Sequence, residues 1–158
     1  MAVNKCAAYD GLAKQLAALI AGETDLVANA SNMAALVYHG LTDLNWAGFY
    51  FARGDELVLG PFQGKPACVR IAWGAGVCGT AAAAGRAIVV PDVDAFPGHI
   101  ACDAASRSEL VVPLVAEDRV AGVFDLDSPR MARFDEADRA GIEHLVAIFL
   151  AHHRDWRP

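Results

Sequence analysis

The strongest constraint on the fold of this chain is a hairpin in its second half. Residues 109–115 and 119–126 are rich in valine and leucine, and a short polar turn at Glu117 and Asp118 separates them. Two apolar segments joined in this way predict a pair of antiparallel strands. Any fold of this chain must therefore include an antiparallel sheet that contains both segments.

The other predicted elements fit around that hairpin. Helices are predicted over 10–21, from Thr24 to about His39, over 76–84 before Gly85, and over 135–153. Further strands are predicted over 45–52, 56–62, 68–73 and 87–93. This order favours an α+β fold, a central antiparallel sheet with helices packed on one side. With 158 residues and no linker, we expect a single domain over residues 1–158.

Composition and charge exclude several classes of protein. Hydrophobic residues make up 55% of the chain and charged residues 20%, which argues against disorder. The formal net charge of −6 argues against a nucleic-acid partner, which would need a basic face. No signal region is present, and no apolar run approaches the roughly 20 residues of a membrane span. We therefore expect a cytoplasmic protein without membrane contact, whose cysteines are kept reduced.

A glycine-rich segment, Gly74-Ala75-Gly76-Val77-Cys78-Gly79, matches the pattern of dinucleotide-binding loops. It follows a predicted strand, and Asp92 and Asp94 lie roughly where a ribose-binding acid is expected. The helix behind it, however, is only about two turns long, which is too short for a crossover between parallel strands. We therefore favour a tight turn into a short helix, whose free N–H groups could still bind an anion.

The cysteines offer a choice between core packing, metal binding and redox chemistry. Nine residues separate Cys68 from Cys78, and twenty-three separate Cys78 from Cys102. Because no C-x-x-C pair exists, a structural zinc site is weakly supported, although His99 and Cys102 could form half of one. Cys78 lies among glycine and alanine residues, which favours a role as a small core residue. Cys102 lies in a polar loop, and loops carry functional residues more often than core segments do. Cys6 lies in a segment that we expect to be frayed and without a role.

Three acidic residues are expected to meet at one end of the hairpin. Glu109 begins the first strand, and Asp125 and Asp127 end the second. Residues two apart in a strand share a face, and pairing across the turn brings these two ends together. The group could be a solvated strand end, or it could hold a cationic ligand, bind a hard metal or keep one carboxyl protonated.

An aromatic pair on the first strand also has two interpretations. Trp46 and Tyr50 fall on one face of the strand predicted over 45–52. Ordinary core packing explains them, and so does an apolar wall with a polar hydroxyl at its rim, which suits a small ligand.

Together these segments resemble the free methionine-(R)-sulfoxide reductases, a family of GAF-domain enzymes. The resemblance runs from about Tyr9 to Ala151, with no departure at the functional positions. The segments that carry it are Asn45–Tyr50, Gly60–Cys68, Gly76–Gly79, Pro91–Val93, His99–Asp103, Ser106–Glu109 and Phe124–Ser128.

The resemblance implies a role for each of three cysteines. Cys102 matches the catalytic cysteine, whose thiolate attacks the sulfoxide sulfur. Cys68 matches the principal resolving cysteine, which condenses with the resulting sulfenic acid to a Cys68–Cys102 disulfide. Cys78 matches an auxiliary or alternative resolving cysteine.

It also implies the rest of the site. Trp46 and Tyr50 match aromatic residues of the substrate pocket, and Glu109, Asp125 and Asp127 match carboxylates that bind substrate, Glu109 and Asp127 also assisting catalysis. The family implies no bound cofactor and no metal, with electrons that come from thioredoxin and, through thioredoxin reductase, from NADPH. It also implies a possible homodimer. The alternative is a non-enzymatic GAF module that senses a small molecule or the redox state.

Overall fold

The structure, a computed structural model, describes residues 4–156. Its α-helices are α1 (Lys5–Ile20), α2 (Leu26–Gly40), α3 (Gly76–Ala84) and α4 (Glu136–His152). Its strands are β1 (Trp46–Arg53), β2 (Glu56–Gly64), β3 (Arg70–Ala72), β4 (Ile88–Val90), β5 (Ser108–Ala116) and β6 (Arg119–Ser128). A short 3-10 helix over Val93–Ala95 follows β4. In the part of the chain described, no helix is both long and apolar enough to cross a membrane.

The six strands form one antiparallel sheet in the order β3-β2-β1-β6-β5-β4. The predicted hairpin is confirmed as β5–β6, which pairs from Ser108 opposite Ser128 to Ala116 opposite Arg119. Glu117 and Asp118 form its turn with positive φ angles of 51° and 60°. The predicted α+β class and the central antiparallel sheet are thus confirmed.

Side chains alternate along each strand, so the two faces of the sheet pack against different helices. On one face Phe49, Leu110 and Phe124 belong to a buried core that includes residues of α1, α2 and α4. The ring of Phe49 lies 4.7 Å from that of Phe124 and 5.1 Å from that of Phe149 on α4. Buried rings of this kind contribute about 1.5–3 kcal/mol each. The three long helices therefore pack on one side of the sheet.

The short helix α3 packs on the other face, over β5 and β6. Here the alternate residues of the strands, such as Tyr50, Val111 and Val123, form a second buried cluster with Val77 and Cys78 of α3. We call this cluster the α3-side core. It is smaller than the core under the long helices, and the candidate site lies at its edge.

The glycine-rich segment forms a tight turn into a short helix, as predicted from the sequence. Gly74 and Gly76 have φ angles of 81° and 60°, which favour glycine, and the Gly74 N–H donates to the Gly79 carbonyl at 2.8 Å. A Cβ atom on Gly79 would lie 2.3 Å from the Ala72 carbonyl oxygen, so only glycine lets α3 start this close to β3. Because the neighbouring strands are antiparallel, this turn is not part of a dinucleotide-binding crossover.

Two expectations for the N-terminal helices are wrong. Asp25, not Thr24, caps α2, because its side chain accepts a hydrogen bond from the Ala28 N–H at 2.8 Å. Cys6 is not in a frayed segment, because α1 begins at Lys5 and is capped by the side chain of Asn4. Cys6 is exposed in the first turn of that helix.

Candidate active site

A pocket opens at the end of the sheet where β1, β5 and β6 approach the start of α3. Two irregular segments close it, one over 65–68 between β2 and β3 and one over 99–106 before β5. All residues that the sequence singled out for the site line this pocket except Cys68, whose neighbour Ala67 does so. They are Trp46, Tyr50, Cys78, Cys102, Glu109, Asp125 and Asp127.

A disulfide between Cys68 and Cys102 joins the two irregular segments at the mouth of the pocket. Their Cα atoms lie 5.8 Å apart, within the usual range for a disulfide. Cys68 lies before β3 rather than within it, so the strand predicted over 68–73 is too long. This is the pair of cysteines that the resemblance implies. Cys102 is exposed, whereas Cys68 is partly buried against the α3-side core.

Cys78 lies apart from that disulfide, as a free and buried thiol on α3. Its Sγ atom contacts Oε1 of Glu109 at 3.9 Å. Burial raises the pKa of the Cys78 thiol well above its ordinary value, and the nearby Asp125 and Glu109 carboxylates raise it further. Cys78 is therefore a poor source of thiolate at neutral pH.

The three carboxylates meet as the strand register predicts. Glu109 pairs with Asp127 across β5 and β6, and Asp125 lies two residues earlier on the same face. Burial raises the pKa of all three carboxyls well above their ordinary values. Repulsion between the carboxylates raises these pKa values further. Asp127 acts on Glu109, Glu109 on Asp125, and Asp125 on Asp127. The cluster therefore keeps protons to a higher pH than separate carboxylates would.

One oxygen of this cluster lacks a partner. Oδ1 of Asp125 is buried and accepts no hydrogen bond from the residues that the structure describes. A buried acceptor without a donor is costly, on the order of 1–3 kcal/mol. A cationic N–H group bound in the pocket would satisfy it.

The aromatic pair forms one wall of the pocket and also holds the Cys68 segment. Trp46 stacks on Tyr50 and on Phe62, with ring centroids 5.8 and 5.3 Å apart. The Trp46 indole N–H donates to the Lys65 carbonyl at 3.2 Å, and the Tyr50 hydroxyl donates to the Cys68 carbonyl at 3.0 Å. The Tyr50 hydroxyl is thus not free at the rim of the pocket but anchors the backbone at Cys68.

His99 is a site residue whose contact the sequence interpretation missed. Its Nε2 atom lies 3.3 Å from Oε2 of Glu109, and its side chain is 14% exposed. Burial lowers the pKa of His99 despite the opposing charge of Asp94, so the ring is neutral at pH 7. From the sequence alone, His99 was considered only as half of a possible metal site, together with Cys102. Bonded to Cys68, the Cys102 sulfur is not available as a thiolate ligand. No periodicity in the sequence marks the contact between His99 and Glu109, because it depends on the path of the loop that carries His99.

Comparison with known proteins identifies the family. A model of the GAF domain matches residues 27–149. The free methionine-R-sulfoxide reductase of Escherichia coli is 53% identical over 92% of this chain and 88% of its own length. The protein of the same name from Saccharomyces cerevisiae is 43% identical over 89% of this chain and 78% of its own. The structure of free methionine-R-sulfoxide reductase from Neisseria meningitidis in complex with its substrate is 46% identical, covering 97% and 92% of the two chains, with a TM-score of 0.92.

The chain belongs to the free methionine-R-sulfoxide reductase family of GAF domains. The fold and the enzyme class that the sequence predicted are therefore confirmed. Within this free methionine-R-sulfoxide reductase fold, hydrogen bonds fix the cysteine loop to β1. Asn45, just before β1, donates from Nδ2 to Asp103 Oδ2 at 3.2 Å and to Ser106 Oγ at 3.0 Å. Those contacts hold the loop that carries Cys102 over the carboxylates.

Proposed function

We propose that this chain reduces free L-methionine-(R)-sulfoxide to methionine. The observation that carries the proposal is the placement of the Cys68–Cys102 disulfide at the mouth of a pocket with buried carboxylates. A thiol pair supplies the electrons, and a carboxylic acid supplies the proton that a sulfoxide oxygen needs before it can leave sulfur.

The pocket offers a partner for each part of the substrate. The unpaired Asp125 oxygen would accept a hydrogen bond from the substrate ammonium group. The indole of Trp46 would pack against the methyl group on sulfur. The backbone N–H groups at the start of α3, which begins at Gly76, would receive the substrate carboxylate. Recognition of both charged ends would reject methionine sulfoxide within a protein.

In the first chemical step the Cys102 thiolate attacks the sulfoxide sulfur. A protonated carboxyl, from Glu109 or Asp127, gives its proton to the sulfoxide oxygen. The oxygen passes to Cys102 as a sulfenic acid, and the substrate sulfur recovers its lone pair as methionine. The raised pKa values of these buried carboxyls support the presence of a proton at neutral pH.

The second step forms the disulfide. The Cys68 thiol attacks the Cys102 sulfenic acid, an S–S bond forms and water leaves. Cys78 keeps an auxiliary or alternative resolving role in this proposal, because its buried thiol ionises with difficulty. Thioredoxin then reduces the disulfide, with electrons from NADPH through thioredoxin reductase, so no bound cofactor or metal is required. This supply of electrons places the reaction in the cytoplasm.

Two further parts of the proposal rest on the family resemblance. We propose that the chain can form a homodimer, and the exposed apolar side chains of Leu19 on α1 and Val27 on α2 are available for such a contact. The alternative, a GAF module that senses a ligand without catalysis, is disfavoured for phosphate-bearing ligands. The buried acids of this pocket would repel a phosphate group.

The test is NADPH consumption coupled through thioredoxin reductase and thioredoxin. Free L-methionine-(R)-sulfoxide should be consumed, whereas the (S) diastereomer and an N- and C-blocked (R)-sulfoxide should not. C102S should abolish consumption, and C6S is the matched control because Cys6 is exposed on α1. Activity of C102S equal to that of the wild type would refute the assignment of Cys102, and equal turnover of the blocked substrate would refute recognition of the charged ends.

A further inference from the structure

We propose that the external dithiol reductant attacks the sulfur of Cys102, not that of Cys68, and docks on the exposed surface formed by Val69 and Ile100. This inference rests on the proposed function, which requires that a protein dithiol reopen the Cys68–Cys102 bond. It goes further by naming the sulfur that receives the electrons and the cysteine that leaves first.

The two cysteines of the disulfide differ in exposure. Cys102 is exposed in the irregular segment over 99–106. Cys68 is partly buried and packs against the α3-side core. The rate of thiol–disulfide exchange depends on which sulfur the attacking thiolate can reach. Access therefore favours Cys102.

The segment that carries Cys68 is also held in place by two hydrogen bonds from β1. The Tyr50 hydroxyl and the Trp46 indole N–H bind the carbonyls of Cys68 and Lys65, so this segment is held against the buried side chains.

The surface beside the disulfide suits a protein partner. Val69, next to Cys68, is 62% exposed, and Ile100, two residues before Cys102, is 38% exposed. Because the disulfide joins the two segments that carry Val69 and Ile100, we assign both side chains to one apolar patch, the kind of surface that marks a protein interaction site. The occupant that we propose is a reductase with a Cys-x-x-Cys pair, because a dithiol completes both exchange steps in one encounter and leaves as a disulfide.

The electrons balance over two exchange steps. The reductant thiolate bonds to Cys102, the S–S bond breaks, and Cys68 leaves as a thiolate that takes a proton from water. The second thiol of the reductant loses its proton to solvent and attacks the mixed disulfide at the reductant's own sulfur. Cys102 then leaves as a thiolate, which is the form that attacks the next sulfoxide. One disulfide is reduced to two thiol groups, and the reductant is oxidised to one disulfide.

The test traps the first step with a Cys-x-x-Ser variant of thioredoxin. The oxidised chain is mixed with this variant, acid-quenched, alkylated and digested with trypsin. Cys6, Cys68, Cys78 and Cys102 fall in four different tryptic peptides, because Arg53, Arg70, Arg86 and Arg107 are cleavage sites and Lys65 precedes a proline. Mass spectrometry therefore shows which cysteine carries the thioredoxin peptide.

We expect the mixed disulfide on Cys102 and alkylated Cys68. A mixed disulfide mainly on Cys68 would overturn the inference and leave the proposed function intact. Absence of any mixed disulfide, together with an unreduced Cys68–Cys102 bond under wild-type thioredoxin, would overturn both.

A separate substitution tests the docking surface. V69D should lower kcat/KM for thioredoxin about tenfold, because a charge replaces an apolar contact that is buried in the complex. Its yield of methionine in a single turnover without reductant should equal that of the wild type. V115D is the matched control, since Val115 is 43% exposed near the end of β5 that leads into the hairpin turn, away from the disulfide. Equal effects of the two substitutions on kcat/KM for thioredoxin would reject the surface.

Discussion

Glu109 and Asp127 face each other across β5 and β6, and their carboxyl groups line the same buried end of the pocket. Burial and the neighbouring Asp127 raise the pKa of Glu109, so the acid form persists above its ordinary range. The folded chain therefore binds protons here that the unfolded chain has released. Ionisation of the cluster costs stability, and this cost increases as the pH rises from the ordinary value of 4.5 towards the raised pKa.

E109Q tests both the stability cost and the catalytic role of the Glu109 carboxyl. Glutamine fills the space without ionising, so the variant should unfold at a higher temperature than the wild type near pH 8. Its kcat/KM should fall about 100-fold or more, which is the usual cost of removing a general acid. E143Q, at a partly exposed position of α4 outside the pocket, is the control. A less stable E109Q with full activity would contradict the role of this carboxyl.

Y50F removes the hydrogen bond from Tyr50 to the Cys68 carbonyl. Loss of a buried hydrogen bond of this kind costs about 1 kcal/mol, and the segment that carries Cys68 becomes less ordered. The rate of disulfide formation should therefore fall more than the rate of methionine release. A rapid-quench experiment with a sulfenic-acid probe should trap more Cys102 sulfenic acid in Y50F than in the wild type. Equal trapping in both would show that the hydroxyl does not position Cys68.

H99Q and H99L test the contact between His99 and Glu109. The neutral His99 ring can accept a hydrogen bond from the protonated Glu109 carboxyl. This bond would hold the carboxyl in one orientation. H99L should lower kcat about tenfold and shift the alkaline limb of the pH profile, as expected for a lost orienting bond to a general acid. H99Q, which keeps a polar group near the Nε2 position, should recover part of both. Unchanged pH profiles would assign His99 to packing alone.

A second histidine should control stability in acid. His153, just after α4, is buried, and its Nε2 atom lies 3.0 Å from Nδ2 of Asn29. Burial and the neighbouring His152 lower the pKa of His153 from 6.5, so its contribution is complete above that pH and is lost as the pH falls. H153Q keeps an acceptor for Asn29 without this titration.

Urea midpoints at about pH 7.5 and about pH 5.5 test this linkage. The wild type should lose more of its free energy of unfolding between the two than H153Q does. H39Q, at an exposed position of α2, should behave like the wild type. An equal loss in the wild type and H153Q would exclude His153.

Most elements of the fold could be predicted because local chemistry sets them. The bounds of α3 were predicted correctly because Gly85, with a φ of 62°, ends the helix in a left-handed conformation that glycine favours. The β5–β6 hairpin followed from two apolar segments and a polar turn. The register of that hairpin then placed Glu109 opposite Asp127, so the carboxylate cluster was also predictable from the sequence.

The features that the sequence did not predict depend on tertiary contacts. β3 is shorter than predicted because only Arg70–Ala72 pair with β2, while the preceding segment is held by Trp46 and Tyr50. The path of the loop that carries His99 is not set by any periodicity. It depends on the disulfide and on the hydrogen bonds of Asn45, which join residues far apart in the chain.

The central claim is that Cys102 and Cys68 act as one two-electron centre. A single turnover tests it most directly: fully reduced protein, freed of reductant, is mixed with excess free L-methionine-(R)-sulfoxide. The proposed mechanism predicts one methionine per chain, loss of two of the four thiols, and a disulfide that joins the peptides of Cys68 and Cys102. Methionine formed with all four thiols retained, or a disulfide between Cys102 and Cys78 with none between Cys102 and Cys68, would contradict it.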